Sequence, residues 1–172
     1  MHNKVVYRIA KTFEQSGFAA LRFNFRGAGK SKGEHAKGVG EQEDLRAAIR
    51  FVLERHPDVE LWLAGFSFGA WVMLRAASDD SRVHALVAAG TPVSKYDLKE
   101  AESSVAPKLL IQGSLDEFGK VEDLKQFFRR LKGPKELRII EGADHFFEGR
   151  LDELARALSD FIAAVASRTS LM

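Results

Sequence analysis

The chain has 172 residues, 45% hydrophobic and 29% charged, which fits one domain with enough apolar surface for a core. Its 26 Lys and Arg residues nearly balance 24 Asp and Glu residues, and the formal charge of +2 gives no argument for a nucleic-acid or anionic-membrane partner. The absence of cysteine excludes disulfides, thiolate catalysis and thiolate metal sites.

The first third of the chain predicts a helix, a strand and a second helix. Apolar residues from Val5 to Phe13 recur at helical spacing and stop at Ser16-Gly17, a typical helix end. Apolar residues then alternate from Ala19 to Phe25, which predicts a strand, and the Gly- and Lys-rich segment 26–40 predicts a loop. Acidic residues open the next helix, whose buried stripe is Leu45, Ala48, Ile49, Val52 and Leu53.

The rest of the chain alternates short apolar strands with amphipathic helices. We predict strands at 61–65, 84–89, 108–112 and 136–140 and helices at 68–78, 120–131 and 148–166. Only residues 91–107 break the alternation, with a short helix expected at 96–102. This pattern predicts an α/β protein with three layers, in which a mostly parallel sheet has helices on both faces and binds ligands at the carboxyl ends of its strands.

Ser67 lies in Gly65-Phe66-Ser67-Phe68-Gly69, between a predicted strand and a predicted helix. A G-x-S-x-G segment in this context is typical of a nucleophile elbow, which presents a serine hydroxyl at the end of a sheet. We expect both glycines to be needed, because so tight a turn brings backbones close and requires conformations that residues with a Cβ resist. A structural serine in a tight turn is the alternative interpretation.

A nucleophilic serine needs a base and a carboxylate that orients the base. Asp116 ends the segment Gly113-Ser114-Leu115-Asp116 after one predicted strand, and His145 ends Gly142-Ala143-Asp144-His145 after the last strand. Both loops fall at the carboxyl edge of the sheet, as Ser67 does. The chain order Ser67, Asp116, His145 is that of the triad in α/β-hydrolases.

The chain resembles the α/β-hydrolase superfamily, and specifically its small lidless bacterial serine hydrolases related to dienelactone hydrolases and serine aminopeptidases. Four segments carry the resemblance: residues 24–33, the elbow around Ser67, the Asp116 loop and residues 142–146. It implies an α/β-hydrolase fold with Ser67 as nucleophile, His145 as general acid and base, and Asp116 as the orienting carboxylate. The backbone N–H of Phe68 would be one oxyanion donor.

The resemblance implies a serine hydrolase, carboxylesterase-like or peptidase-like, that cleaves an ester, thioester or amide through an acyl-enzyme on Ser67. The alternative is a noncatalytic or truncated α/β-hydrolase-like domain that binds a ligand or a partner chain. Among the acids, Glu117 could orient the base while Asp116 caps the helix from Lys120; we favour Asp116. Asp144 is predicted to be a loop residue.

Several other polar groups could be interpreted as functional, but we favour structural roles for them. The other histidines lie at a terminus, in a glycine-rich loop, at a helix end and at a strand start: His2, His35, His56 and His84.

The segment Gly29-Lys30-Ser31 lacks the first glycine of a phosphate loop, since Asn24 occupies that position, so we expect no bound nucleotide. A solvated loop is favoured over an anion site for Arg26, Lys30, Lys32, His35 and Lys37. No His and carboxylate cluster has metal-ligand spacing, and we expect no cofactor.

The resemblance also implies a gap in the fold. Family members have about three strands before the helix that here begins near Asn3, and the loop after the third strand supplies the second oxyanion donor. We therefore expect an N-terminally truncated fold without that donor, and no shared neighbour between the strands at Ala19 and Leu61. Met1 could be an internal methionine of a longer reading frame, which we favour; the two strands could pair directly; or a partner chain could fill the gap.

Residues 91–107 are too few for a lid domain, so we expect a single domain over residues 1–172 with an open site for small or solvent-presented acyl groups. No N-terminal stretch resembles a signal peptide, and no run approaches the roughly 20 apolar residues that span a bilayer. We expect a cytoplasmic protein whose partner is a small-molecule acyl substrate. Exposed strand edges favour a homo-oligomer.

Overall fold

The computed structural model describes residues 3–169, which contain five α-helices, a four-stranded sheet and a 3-10 helix at Lys99–Ser103. The α-helices are α1 (Lys4–Gln15), α2 (Val39–Arg55), α3 (Phe68–Ala76), α4 (Val121–Arg130) and α5 (Leu151–Thr169). The strands are β1 (Leu61–Phe66), β2 (Val83–Ala89), β3 (Lys108–Gly113) and β4 (Lys135–Ile140). Within this part of the chain no helix combines the length and hydropathy that a membrane span requires.

The sheet is parallel throughout, with the strand order β1-β2-β3-β4. At its carboxyl edge Phe66 of β1 pairs with Ala89 of β2, and Ala89 pairs with Ile111 of β3. Farther along the same edge, Gly113 of β3 pairs with Ile140 of β4. The loops that follow the strands therefore emerge together, and the predicted parallel sheet is confirmed.

Two apolar cores lie on opposite faces of the sheet. Helices α1 and α5 cover one face, where the core includes Phe13, Val87, Ile111 and Leu158. Helices α2, α3 and α4 cover the other face, where the core includes Ile49, Leu74, Leu86 and Leu124. Strands with apolar side chains on both faces are buried between these layers, so the predicted three-layer α/β/α architecture is confirmed.

The strand predicted at residues 19–25 is wrong. The segment has no regular secondary structure and pairs with no strand, and within residues 3–169 β1 has β2 as its single neighbour. Direct pairing of the two segments, one of the three explanations for the gap, is therefore also wrong. Alternating apolar side chains favour an extended backbone, but a strand also needs a partner backbone to accept and donate its hydrogen bonds. Without one, Leu21 and Phe23 remain 54% and 38% exposed.

Two of the predicted helices have bounds in the structure that differ from the predicted ones. The helix expected at 96–102 is the five-residue 3-10 helix Lys99–Ser103. The last helix begins at Leu151 rather than at residue 148. Just before it, Phe147 and Gly149 have φ values of +54° and +69°, which no right-handed helix accommodates, so helical geometry starts only after this turn.

Candidate active site

The backbone of Ser67 has a conformation that residues with a Cβ rarely adopt. Its φ of +53° and ψ of −122° lie outside the helical and strand regions, and it stands between the end of β1 and the start of α3. The Ser67 N–H donates to the carbonyl of Ala89 at the end of β2, 2.9 Å away. Such strain is typical of functional residues held in place by the surrounding structure.

The two glycines of the elbow have different environments. A Cβ on Gly65 would lie 2.5 Å from the carbonyl oxygen of Gly69, so only glycine fits there. A Cβ on Gly69 would meet nothing nearer than the Phe25 ring, 3.9 Å away. Neither glycine has a positive φ, since Ser67 itself carries the unusual conformation. The expectation that both glycines are needed therefore holds for Gly65 and is wrong for Gly69.

The structure brings Ser67, His145 and Asp116 into one hydrogen-bonded chain. The Ser67 hydroxyl oxygen is 2.9 Å from His145 Nε2, and His145 Nδ1 is 2.8 Å from Asp116 Oδ2. Glu117, the alternative orienting acid, is exposed, and Asp144 accepts a hydrogen bond from the Glu148 N–H within its own loop. The carboxylate beside the imidazole is therefore that of Asp116.

Asp116 is buried, with 5% of its surface exposed, and its carboxylate is surrounded by donors. Oδ1 accepts from the backbone N–H groups of Phe118 and Gly119, at 2.8 and 3.2 Å. Oδ2 accepts from Gln112 Nε2 at 2.7 Å in addition to the imidazole. Asp116 does not cap α4, whose N-cap residue Lys120 has no side-chain capping bond.

The loops after β3 and β4 are interlocked, which brings Asp116 and His145 together. The Leu115 N–H donates to the Ala143 carbonyl at 2.9 Å, and the Gly142 N–H donates to the Ser114 hydroxyl at 2.8 Å. A Cβ on Gly113, at the end of β3, would lie 2.3 Å from the Ala143 carbonyl oxygen. Glycine at the end of β3 thus permits the contact between the two loops.

Phenylalanine rings enclose the imidazole of His145, which is only 6% exposed. The ring centroids of Phe66, Phe118 and Phe146 lie 5.0, 4.6 and 5.2 Å from that of His145. These rings exclude water from the imidazole and so strengthen its hydrogen bonds to Ser67 and Asp116. Phe146 itself is 53% exposed and forms an apolar wall next to the site.

The backbone N–H of Phe68 is the first of α3, immediately after Ser67. No acceptor for it occurs within the described part of the chain. The first N–H groups of a helix lack partners in the helix and carry the positive end of its dipole, which suits a developing anion. That the second oxyanion donor is missing stays a prediction.

The basic loop has less free positive charge than its sequence suggests. Arg26 forms a bidentate ion pair with Asp44, and this side-chain hydrogen bond lowers the pKa of Asp44 below its ordinary value. His35 Nδ1 is 2.8 Å from an oxygen of the buried Glu41. The lysines of the loop, Lys30, Lys32 and Lys37, are exposed.

Among residues 3–169, no histidine other than His145 bonds to Ser67. His84 stacks on Trp62, and His56 is the C-cap of α2. His2 lies outside the described residues. Among residues 3–169 no group of three or more His, Asp or Glu residues could hold a metal ion.

Two surface depressions lie away from Ser67. One, of about 250 Å³, is lined by residues that include Pro107 and Phe161. The other, of about 230 Å³, includes Tyr96 and Arg130. Neither is lined by Ser67, Asp116 or His145, so the side-chain chemistry and not the cavity volume identifies the candidate site.

Comparison with known proteins places the chain in a family. The family described as alpha/beta hydrolase domain matches residues 1–170. An uncharacterized protein of Rickettsia prowazekii is 34% identical over 176 residues, which cover 97% of this chain and 74% of the relative.

Solved structures show the same fold at higher identity. An alpha-beta serine hydrolase homologue from Coxiella burnetii has 41% identity and a TM-score of 0.88, covering 93% of this chain and 76% of its own. A Xanthomonas campestris protein described as an α/β serine hydrolase without lid has 36% identity and a TM-score of 0.89, with 95% and 74% covered. The expected α/β-hydrolase fold is confirmed, in a chain that spans about three quarters of these relatives.

Proposed function

The chain belongs to the alpha/beta hydrolase family, and we propose that it is a serine hydrolase that cleaves an ester, thioester or amide through an acyl-enzyme on Ser67. The observation that carries the proposal is the pair of hydrogen bonds that joins Ser67 to His145 and His145 to Asp116, at 2.9 and 2.8 Å. A structural serine in a turn would have no need of a buried imidazole and a buried carboxylate aligned behind it.

Acylation uses the imidazole first as a base and then as an acid. Ser67 Oγ forms a bond to the substrate carbonyl carbon while its proton passes to His145 Nε2. The carbonyl electron pair moves to the oxygen, which accepts a hydrogen bond from the Phe68 N–H. The carbonyl then re-forms, the bond to the alcohol, thiol or amine breaks, and that group takes the proton from Nε2. Asp116 stabilises the imidazolium that exists between these two proton transfers.

Deacylation repeats the same steps with water. His145 Nε2 accepts a proton from a water molecule as its oxygen attacks the acyl carbon. The bond to Ser67 Oγ breaks, Oγ recovers the proton from Nε2, and the carboxylic acid leaves. The hydroxyl, the imidazole and the Asp116 carboxylate are then in their starting states, so turnover consumes only substrate and water.

An open site favours small or solvent-presented acyl groups. The connection between β2 and β3 contains one 3-10 helix and no lid, and Ser67 is half-buried rather than covered. We expect p-nitrophenyl acetate and butyrate to be hydrolysed faster than p-nitrophenyl palmitate, because the connection between β2 and β3 forms no cap that could bury a long chain. A strong rate preference for the palmitate would contradict this substrate class.

A fluorophosphonate probe tests the proposal directly, since it reacts with activated serines. We expect labelling at Ser67, located by mass spectrometry, and loss of labelling in Ser67→Ala and His145→Ala. His56→Ala is the matched control, because His56 is an exposed histidine at the end of α2 and its loss should leave labelling unchanged. No labelling of a folded chain would favour the noncatalytic alternative, in which ligand binding should survive Ser67→Ala.

A further inference from the structure

Gln112 is a polar side chain inside an apolar core, near the end of β3, and none of the chemical steps above uses it. It is 0% exposed, and its neighbours along the strand, Leu109, Leu110 and Ile111, are apolar and equally buried. A buried amide is costly unless its polar atoms are hydrogen-bonded. Its presence in this strand therefore calls for a specific set of partners.

The partners use both atoms of the amide and define its orientation. Gln112 Nε2 donates to Asp116 Oδ2 at 2.7 Å and to the Gly119 carbonyl at 2.9 Å. Gln112 Oε1 accepts from the Thr91 N–H at 2.8 Å. A flipped amide would set its oxygen against two acceptors and its NH2 group against an N–H donor. The network therefore assigns the orientation uniquely.

This orientation determines the proton positions in the hydrogen-bonded chain. Gln112 Nε2 can only donate, so Asp116 Oδ2 must accept, and Oδ1 already accepts from the Phe118 and Gly119 N–H groups. An ionised carboxylate has only acceptors, so the Nδ1 atom that His145 turns toward Oδ2 carries a proton. The neutral imidazole then has its proton on Nδ1 and its lone pair on Nε2, facing the Ser67 hydroxyl.

The surroundings of Gln112 leave it little freedom to move. A Cβ on Gly119 would lie 2.6 Å from Gln112 Nε2 and 2.2 Å from the Thr91 carbonyl oxygen. Thr91 directly follows Gly90, where a Cβ would lie 3.3 Å from Cε1 of the His145 ring. The amide thus joins the end of β2, the end of β3 and the Asp116 turn at the point where they meet the imidazole.

We propose that Gln112 is a positioning residue that holds the Asp116 carboxylate and, through it, keeps His145 in the Nδ1–H tautomer that can accept the Ser67 proton. The inference rests on the proposed function for its kinetic consequence. The tautomer itself can be measured without any turnover.

The test compares the native chain with Gln112→Leu, which keeps the volume and removes both donors. Imidazole ¹⁵N shifts report the His145 tautomer, and the fluorophosphonate labelling rate reports Ser67 reactivity. The matched control is Lys108→Met, because Lys108 lies at the other end of β3, is also 0% exposed and also donates several hydrogen bonds. Lys108 and Gln112 are both buried polar residues of β3 with hydrogen-bonded side chains, but Lys108 is at the opposite end of the strand from Asp116.

We expect the native chain to show the Nδ1–H tautomer, and Gln112→Leu to show a mixture together with a labelling rate about 10- to 100-fold lower, as for losing a hydrogen bond to a charged group. Lys108→Met should keep both native values. In an Asp116→Ala background, Gln112→Leu should change the labelling rate less than about twofold, since a residue that acts through Asp116 has nothing left to position.

Gln112→Glu decides the question if Gln112→Leu does not fold. Its carboxyl can donate to Asp116 only while protonated, so the labelling rate should fall with rising pH where the native rate does not. A native tautomer and a native labelling rate in a folded Gln112 variant, or equal losses with and without Asp116, would overturn the inference. A native chain that shows the tautomer, loses it in Gln112→Leu and is never labelled would count against the hydrolase proposal and leave the positioning role supported.

Discussion

Ser67, the proposed nucleophile, has an unfavourable backbone conformation. A non-glycine residue at φ +53° and ψ −122° costs on the order of 1–3 kcal/mol, which the packing around the elbow must offset. The close approach of Gly65 to the Gly69 carbonyl is part of that packing. Residues of the elbow should therefore differ sharply in their tolerance of one added methyl group.

We expect Gly65→Ala to lower the free energy of unfolding by about 1–3 kcal/mol and to reduce fluorophosphonate labelling of Ser67. The added methyl group would overlap the Gly69 carbonyl oxygen, 2.5 Å away, and displace the backbone that holds Ser67. Urea unfolding and the labelling rate measure the two effects.

Gly69→Ala is the matched control, since its methyl group would meet nothing closer than 3.9 Å. Its free energy of unfolding should stay within about 0.5 kcal/mol of the native value. Equal destabilisation by the two substitutions would show that glycine is needed at Gly69 for a reason other than space.

At the scale of elements, β3 carries a buried polar residue near each end of an apolar strand. Gln112 lies near its carboxyl end, at the candidate site, and Lys108 lies at its first position, 0% exposed. Lys108 Nζ donates to the carbonyls of Ser104, Ala106 and Lys132, at 2.9, 2.6 and 2.7 Å. It thereby joins the segment before β3 to the turn before β4.

Lys108 predicts a specific dependence of stability on pH. Burial, with a smaller contribution from Lys135, lowers the pKa of Lys108 from 10.5 to about 8. Between those values the unfolded chain keeps a proton that the folded chain has released, so the free energy of unfolding should rise with pH. The rise is at most about 3 kcal/mol, from 1.36 kcal/mol per pKa unit.

Urea unfolding across that pH window, compared between the native chain and Lys108→Met, isolates this contribution. The native chain should gain stability relative to the variant as the pH rises. Lys125→Met, which removes an exposed lysine of α4, should show the native slope. A difference between the native chain and Lys108→Met that stays constant with pH would contradict the prediction.

At the scale of the whole molecule, β1 forms an edge of the sheet within residues 3–169. The segment 19–25 does not pair with β1, and within residues 3–169 the outer backbone groups of β1 have no strand beside them. An unpaired edge offers hydrogen-bonding groups to another chain. Leu21 and Phe23 add exposed apolar surface in the segment that failed to pair.

We therefore expect the chain to self-associate in a concentration-dependent way, measured by light scattering. Ala64→Lys, which places a charge at an exposed position of β1, should shift the equilibrium toward monomer. Ala47→Lys adds the same charge on an exposed position of α2 and should not. A monomer at every concentration would argue against pairing through this edge.

The expectations of a single domain and of a cytoplasmic location stay predictions.

Sequence reasoning succeeded where a local pattern specifies the structure. Helical spacing from Val5 to Phe13 predicted α1, and apolar runs between amphipathic helices predicted all four strands of the sheet to within one or two residues. It missed Gln112, although a glutamine in an otherwise apolar strand, four residues before Asp116, indicates a buried side chain that needs a hydrogen-bond partner. Buried amides need partners, and an acid in the following turn was available to supply one.

The sequence by itself determined the order of the strands and helices and the positions of Ser67, Asp116 and His145 after strand ends. Parallel strands bring their carboxyl ends to one edge, so local periodicity and chain order were sufficient for that. Only the tertiary structure decided that residues 19–25 form no strand, that Asp116 rather than Glu117 faces the imidazole, and that Gly65 but not Gly69 lacks space for a side chain. Each of these depends on atoms distant in sequence, which pack by three-dimensional contact that no local pattern encodes.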